Sequence, residues 1–147
     1  MEFALAAGIA AADGSLPRET GGVLAGWRTA EGLHVVQMLE VPSRKATRSR
    51  YVRSQRKANA VLDSYLRGLP PASPVGYVGD WHSHPEAQGA SDTDLASIAE
   101  FAKNDGLPVA LLVLVRRNKS WEADAWHAAS RRGRVRLERA AVEIVAE

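Results

Sequence analysis

Val75-Gly76-Tyr77-Val78-Gly79-Asp80-Trp81-His82-Ser83-His84-Pro85 runs from an apolar stretch straight into two histidines, and Ser91-Asp92-Thr93-Asp94 follows at close range. Side chains alternate faces along a strand, so imidazoles spaced i, i+2 project to the same side. Pro85 ends the strand, and Ser91-x-x-Asp94 has the pattern of a capping box opening a helix. A strand that carries His82 and His84, followed by a loop that returns Asp94, brings two nitrogens and one oxygen together. Two His and one Asp with an open fourth position is the ligand set of a hydrolytic zinc ion. Ser91-x-x-Asp94 also has a purely structural reading, as N-cap and third residue of a helix. The two are compatible, because a capped first turn holds Asp94 rigidly, as a ligand must be held.

Outward from this stretch the chain alternates between strand and helix patterns. Asp92 to Lys103 reads as a helix with Leu95, Ile98, Ala99 and Ala102 on one face, stopped by Asn104-Asp105-Gly106. Pro108 to Val115 is continuously apolar, the mark of a central strand covered on both faces. Trp121 to His127 and Arg134 to Leu137 read as later strands with Arg131-Arg132-Gly133 as the turn, and Ala140 to Val145 as a strand or short helix. Upstream, Ser54 to Arg67 places Ala58, Val61, Leu62, Tyr65 and Leu66 at helical spacing before Gly68-Leu69-Pro70-Pro71. Val23 to Trp27 and Leu33 to Val41 read as a hairpin with a longer loop through Thr29-Ala30-Glu31-Gly32, closed by Pro42. Phe3 to Ala12 reads as an N-terminal helix ending at Asp13-Gly14-Ser15-Leu16-Pro17. The expectation is a single α/β domain over residues 1–147, a three-layer α/β/α sandwich around a mixed sheet.

Composition narrows the chemistry. The chain has 147 residues, 46% hydrophobic and 24% charged, which suits one globular domain with a real core. It has no cysteine, which rules out disulfides, thiolate zinc sites and cysteine nucleophiles. A zinc deaminase, whose site needs a Cys pair, is excluded on the same ground. Any metal must therefore sit on His and carboxylate. No stretch approaches the roughly twenty apolar residues of a membrane span, and the start lacks a basic leader region, so the expected setting is cytoplasmic with no membrane partner. Ser43 to Arg50 is polar and basic, an expected exposed loop.

His82-Ser83-His84-Pro85…Ser91-x-x-Asp94 resembles the signature of JAMM (MPN-plus, JAB-domain) zinc metalloproteases. That family also has a Glu ahead of a Gly-rich strand, and Glu19-Thr20-Gly21-Gly22-Val23-Leu24-Ala25-Gly26 matches it. The order of elements fits as well, so the resemblance spans nearly the whole chain. It implies the layered JAB/MPN fold, which has a cytidine-deaminase-like architecture. It also implies Zn²⁺ held by His82, His84 and Asp94, Glu19 as general base and acid, and Ser91 as the hydroxyl that stabilises the oxyanion. One departure stands out: six residues separate His84 from Ser91, one fewer than is usual in the family. Restoring the usual spacing would put Leu95 in the ligand position, which cannot bind zinc, so Ser91 and Asp94 are kept, with Gly89 helping the tighter loop. Glu86 and Asp92 are the nearest alternative carboxylates. His34 and His127 read as structural or exposed, and Asp80 and Trp81 as support for the first ligand.

The resemblance further implies an isopeptidase or peptidase acting after the C-terminus of a ubiquitin-like protein, or on its conjugate. The wording is closest to compact bacterial, deubiquitinase-like members that accompany activating and conjugating enzymes in antiphage systems such as CBASS. There the conjugated target is a cGAS-like nucleotidyltransferase. Two other classes stay open at this point: a non-catalytic MPN scaffold, and a nucleic-acid-associated module using Arg44, Lys45, Arg48, Arg50, Arg53, Arg56 and Lys57. Nucleic acid is the less favoured partner, because Tyr51 alone interleaves that basic run.

Overall fold

The computed structural model of the chain describes residues 2–140, with side chains from Leu5 onward. Most of the segment expected as a strand or short helix after Ala140 lies outside the described residues. Three helices and six strands follow in the order α1 (Glu2–Ser15), β1 (Gly21–Thr29), β2 (Gly32–Glu40), α2 (Gln55–Arg67), β3 (Gly76–His84), α3 (Asp92–Asp105), β4 (Val109–Arg117), β5 (Ser120–Arg131) and β6 (Arg134–Arg139). The strands form one mixed sheet in the order β2-β1-β3-β4-β5-β6. Only β3 and β4 run parallel; the other neighbours are antiparallel. A parallel pair needs a crossover, and α3 supplies it. The end of the histidine strand is thereby tied by a short loop to the start of α3.

Alternation along the strands sorts the core into two faces. Leu112 and Leu114 of β4, with Leu24, Met38 and Trp81, meet Leu5, Ile9 and Ala12 of α1. Val109, Leu111, Val113 and Val115 point the other way and pack against Ile98 and Ala102 of α3. Val23 and Val41 meet Ala58, Val61 and Leu62 of α2 on that second face. This is the expected three-layer α/β/α arrangement with a mixed sheet. The continuous apolar run of β4 is explained by its cover on both sides. In the helices, Ser54 caps α2 by accepting from Lys57 N–H. Gly106, at φ 66°, closes α3 in the left-handed region that glycine enters without strain.

The turns differ from the expectation. The β1–β2 connection is the two-residue Ala30-Glu31 and not a longer loop, because both strands extend to its edges, with Thr29 Oγ1 accepting from Glu31 N–H. β5 runs on to Arg131, and Arg132-Gly133 makes the turn at φ 55° and 77°. Asn118-Lys119 does the same between β4 and β5 at φ 50° and 65°. Two central residues at positive φ match the right-handed twist of the flanking strands.

Candidate metal centre

His82 and His84 pair with Val113 and Val115 of β4 and so share the α3 face of the sheet. The residue between them, Ser83, faces the opposite way and is fully buried. Its Oγ accepts the N–H of Thr20 at 2.9 Å, and its own N–H donates to the Thr20 carbonyl at 2.8 Å. These bonds continue the antiparallel ladder in which Gly21 opposes His82. One step further puts Glu19 opposite His84, where side chains of a cross-strand pair share a face. Glu19 Oε1 lies 3.9 Å from His84 Nε2. Thr20 is itself held by donation from Oγ1 to Glu40 at 2.7 Å.

The Gly-Gly after Thr20 serves close approach. A Cβ on Gly22 would strike the Leu39 carbonyl of β2, and one on Gly21 would strike the Trp81 carbonyl and the Tyr51 ring. Larger residues there would push the Glu19 strand away from the histidines.

Asp94 arrives from α3. Ser91 accepts the Asp94 N–H at 3.1 Å, and Asp94 Oδ2 accepts the Ser91 N–H at 2.8 Å, a complete capping box. The same Oδ2 lies 3.2 Å from His82 Nε2 and 3.8 Å from His84 Nε2, and the two Nε2 atoms are 3.0 Å apart. A tetrahedral ion with bonds of about 2.0–2.1 Å spaces its ligand atoms about 3.3–3.4 Å apart. The three observed separations bracket that spacing, so the donor set fits a small divalent cation such as zinc.

Protonation states fit as well. The Gln88 carbonyl can only accept, so the 2.7 Å contact from His84 Nδ1 puts the proton there and leaves a lone pair on Nε2. Burial lowers the His84 pKa, with the neighbouring His82 charge acting in the same direction and the Gln88 bond opposing, which keeps the ring neutral. Burial alone would raise Asp94, but the His82 hydrogen bond and charge, with the two Ser91 bonds, hold it well below the usual carboxylate range. Glu19 is the opposite case: burial raises it to about 7, with Asp94 and Glu86 adding to the rise and His82 pulling against it. Two carboxylates that flank the same His84 Nε2 are thus driven in opposite directions, one toward a permanent anion and one toward a group that exchanges protons near neutrality.

The site residues expected from sequence therefore meet: His82, His84 and Asp94 form one group with Glu19 at its edge. Ser91 reaches the group through Asp94, and its role as N-cap is fully realised. Glu86 and Asp92 are exposed and outside the group. His34 stacks on Trp27 with ring centroids 5.2 Å apart, away from the cluster. Asp80 does not touch His82; it takes Arg53 at 2.9 Å and Tyr77 at 3.0 Å and so fastens the loop ahead of α2. Trp81 is buried and donates to the Leu39 carbonyl.

Sequence reasoning missed Asp124 on β5. Its Oδ2 accepts the Ala90 N–H at 2.9 Å and the Trp126 Nε1–H at 3.2 Å, while Arg139 lies 3.6 Å from Oδ1 and stacks over Trp126. Asp124 thereby anchors the short loop between the second histidine and Ser91. Gly89 leaves room for this carboxylate: a Cβ there would come within 2.6 Å of Asp124 Oδ2 and push that side chain aside. No local spacing signals a partner 34 residues downstream. Gly89→Ala should dislodge this anchor and weaken zinc affinity about tenfold or more, as loss of an outer support for a ligand does. Chelator competition reads it, and unchanged affinity would show that the loop holds Asp94 without Asp124.

A family model described as prokaryotic homologs of the JAB domain matches residues 2–129. Among solved structures, the chain is similar to a protein from Desulfitobacterium hafniense determined in solution, at 17% identity and a TM-score of 0.62, over 94% of this chain and 87% of that one. It is also similar to a solution structure from Salinibacter ruber, at 22% identity and a TM-score of 0.55, over 96% and 86% of the two chains. These likenesses concern the fold. No curated protein matches. Among the described residues no helix is long and apolar enough to cross a membrane.

Proposed function

Because this chain belongs to the family of prokaryotic JAB-domain homologues, we propose that His82, His84 and Asp94 hold a zinc ion and that the protein hydrolyses peptide or isopeptide bonds, with Glu19 carrying the proton. The observation that supports this most is the meeting of three ligand atoms within 4.8 Å of one another, beside a buried carboxylate that is not one of them. The ion, when bound, supplies a Lewis acid that polarises a carbonyl and brings the pKa of a water toward about 7.

Glu19, raised to about 7, is matched to accept a proton near neutral pH and hand it to the leaving amine. Asp94 stays an anion and His84 a neutral donor of its lone pair, so neither competes for that proton. Ser91 Oγ spends a lone pair on Asp94 N–H but keeps its own proton, free to donate to a developing oxyanion. The Thr20–Ser83 exchange keeps Glu19 in register with the histidine strand.

We take the substrate to be the C-terminal tail of a ubiquitin-like protein or its conjugate, in the cytoplasm of a bacterium. A conjugated cGAS-like nucleotidyltransferase of an antiphage system such as CBASS is the target class in this reading, with activating and conjugating enzymes as partners. Elemental analysis should find about one zinc per chain. Zinc-loaded protein should cleave a reporter fused behind the C-terminus of a ubiquitin-like protein. Bound zinc with no cleavage of any such fusion would make the protein a scaffold. Absence of zinc after reconstitution would overturn the site itself.

A further inference from the structure

Residues 43–53 follow β2 and run along the rim of the histidine strand, fastened at three points. The Thr47 carbonyl accepts the Glu19 N–H at 2.7 Å. The Tyr51 ring occupies the space left by Gly21 opposite His82, and its hydroxyl donates to the Val41 carbonyl at 2.6 Å. Arg53 Nε pairs with Asp80 at 2.9 Å. The loop therefore has a defined course past Glu19 and the first ligand.

Its exposed residues are Arg44, Lys45, Thr47, Arg48, Ser49, Arg50 and Val52, four of them cationic and the last 63% exposed. Among the described residues none of those four cations makes an ion pair, whereas Arg53 is taken up by Asp80. Four like charges on a fastened loop repel one another, and no carboxylate among the described residues pairs with them. Val52 is the one large apolar side chain exposed among these charges.

We propose that this loop is a docking surface for an acidic polypeptide segment, the part of the substrate flanking the bond to be cut, with Val52 meeting an apolar side chain of that segment. The location next to a reaction centre rests on the hydrolase reading; the charge preference rests on the loop alone. Polypeptide is favoured over nucleic acid because the one aromatic ring of the loop, Tyr51, is turned inward onto Gly21 and offers no stacking platform. The charges of the loop would steer an acidic chain toward Glu19 and repel a basic one.

The test uses the full chain, zinc-loaded and carrying Glu19→Gln so that peptides are not consumed. The probes are two fluorescent synthetic peptides of alternating Glu and Leu or alternating Lys and Leu, and a single-stranded oligonucleotide of equal negative charge. Anisotropy should show the acidic peptide binding about tenfold or more tightly than the basic one, with the gap shrinking as salt rises. Arg48→Glu with Arg50→Glu should abolish or invert the preference while the melting temperature stays unchanged, since both residues are exposed. Equal binding of the two peptides overturns the proposal, as does oligonucleotide binding as tight as the acidic peptide at about 150 mM salt. Either outcome leaves zinc content and reporter cleavage untouched. Loss of those two would instead sink the hydrolase reading and leave the peptide preference standing.

Discussion

Glu19→Gln is expected to abolish hydrolysis while zinc stays bound and the metal-free fold becomes more stable above neutral pH. Removal of a positioned general base costs about 10²–10⁴-fold in kcat. Gln keeps the shape of the carboxyl group, and Glu19 is not among the three clustered ligands, so zinc per chain should not change. The stability effect follows from the direction of the pKa. Folding raises Glu19 from 4.5 to about 7, so the folded state favours the protonated form. Its contribution is complete below about 4.5 and is lost as pH rises through about 7. Above that, wild-type protein without metal carries a buried charge costing about 1–3 kcal/mol, which Gln does not carry. Melting curves in chelator should lie closest below about pH 4 and separate by about 3–10 °C at about pH 8, with the variant higher. Coincident curves at both pH values would mean that the carboxylate is not destabilised by its surroundings.

Asp94→Ala and His82→Ala should both lose the metal, yet differ in what else they lose. Each removes one of the three proposed ligands, so zinc retained through gel filtration should fall from about one per chain to near zero, and activity with it. Asp94 in addition closes the capping box with Ser91, whereas His82 has no part in the helix end. Loss of such a cap costs about 0.5–2 kcal/mol. In chelator, Asp94→Ala should therefore melt several degrees below both wild type and His82→Ala. The sign with pH is the reverse of that at Glu19. Asp94 is lowered, so its stabilisation is present above the ordinary carboxylate range and fades only as pH falls through its depressed value. The gap between Asp94→Ala and wild type should hold at neutral pH and close in strong acid. Zinc retained by Asp94→Ala would move the third ligand to another carboxylate, with Glu86 and Asp92 the nearest in sequence.

Most elements were legible because they obey one local period each. The i, i+2 histidines and the Ser91-x-x-Asp94 opening are local rules, and both hold in three dimensions. The Glu19-Thr20-Gly21-Gly22 segment was legible as a motif, but its physical reason was not. Gly22 is small because Leu39 of β2 presses on it, and Gly21 because Tyr51 does. The turn lengths were misjudged at Thr29–Gly32 because a two-residue turn written Ala30-Glu31 carries none of the Asn-Gly or Asp-Gly signal. Ser83, between the two histidines, carries its clue in its parity, which is opposite to theirs and turns it away from the His82–His84–Asp94 group.

From the chain alone came the grouping of His82, His84 and Asp94 and the layered fold, since strand parity and helix capping act over a few residues and need no distant partner. Tertiary structure alone decided how the set is held. Thr20 and Ser83 bring Glu19 within 3.9 Å of His84, and Asp124 fastens the loop ahead of Ser91 through Ala90. Burial raises the proton affinity of Glu19, whereas the His82 and Ser91 contacts overcome burial at Asp94 and lower it. Each of these depends on contacts between residues tens of positions apart, and a pKa depends on which side chains exclude water from it. Neither quantity has a local pattern to be read.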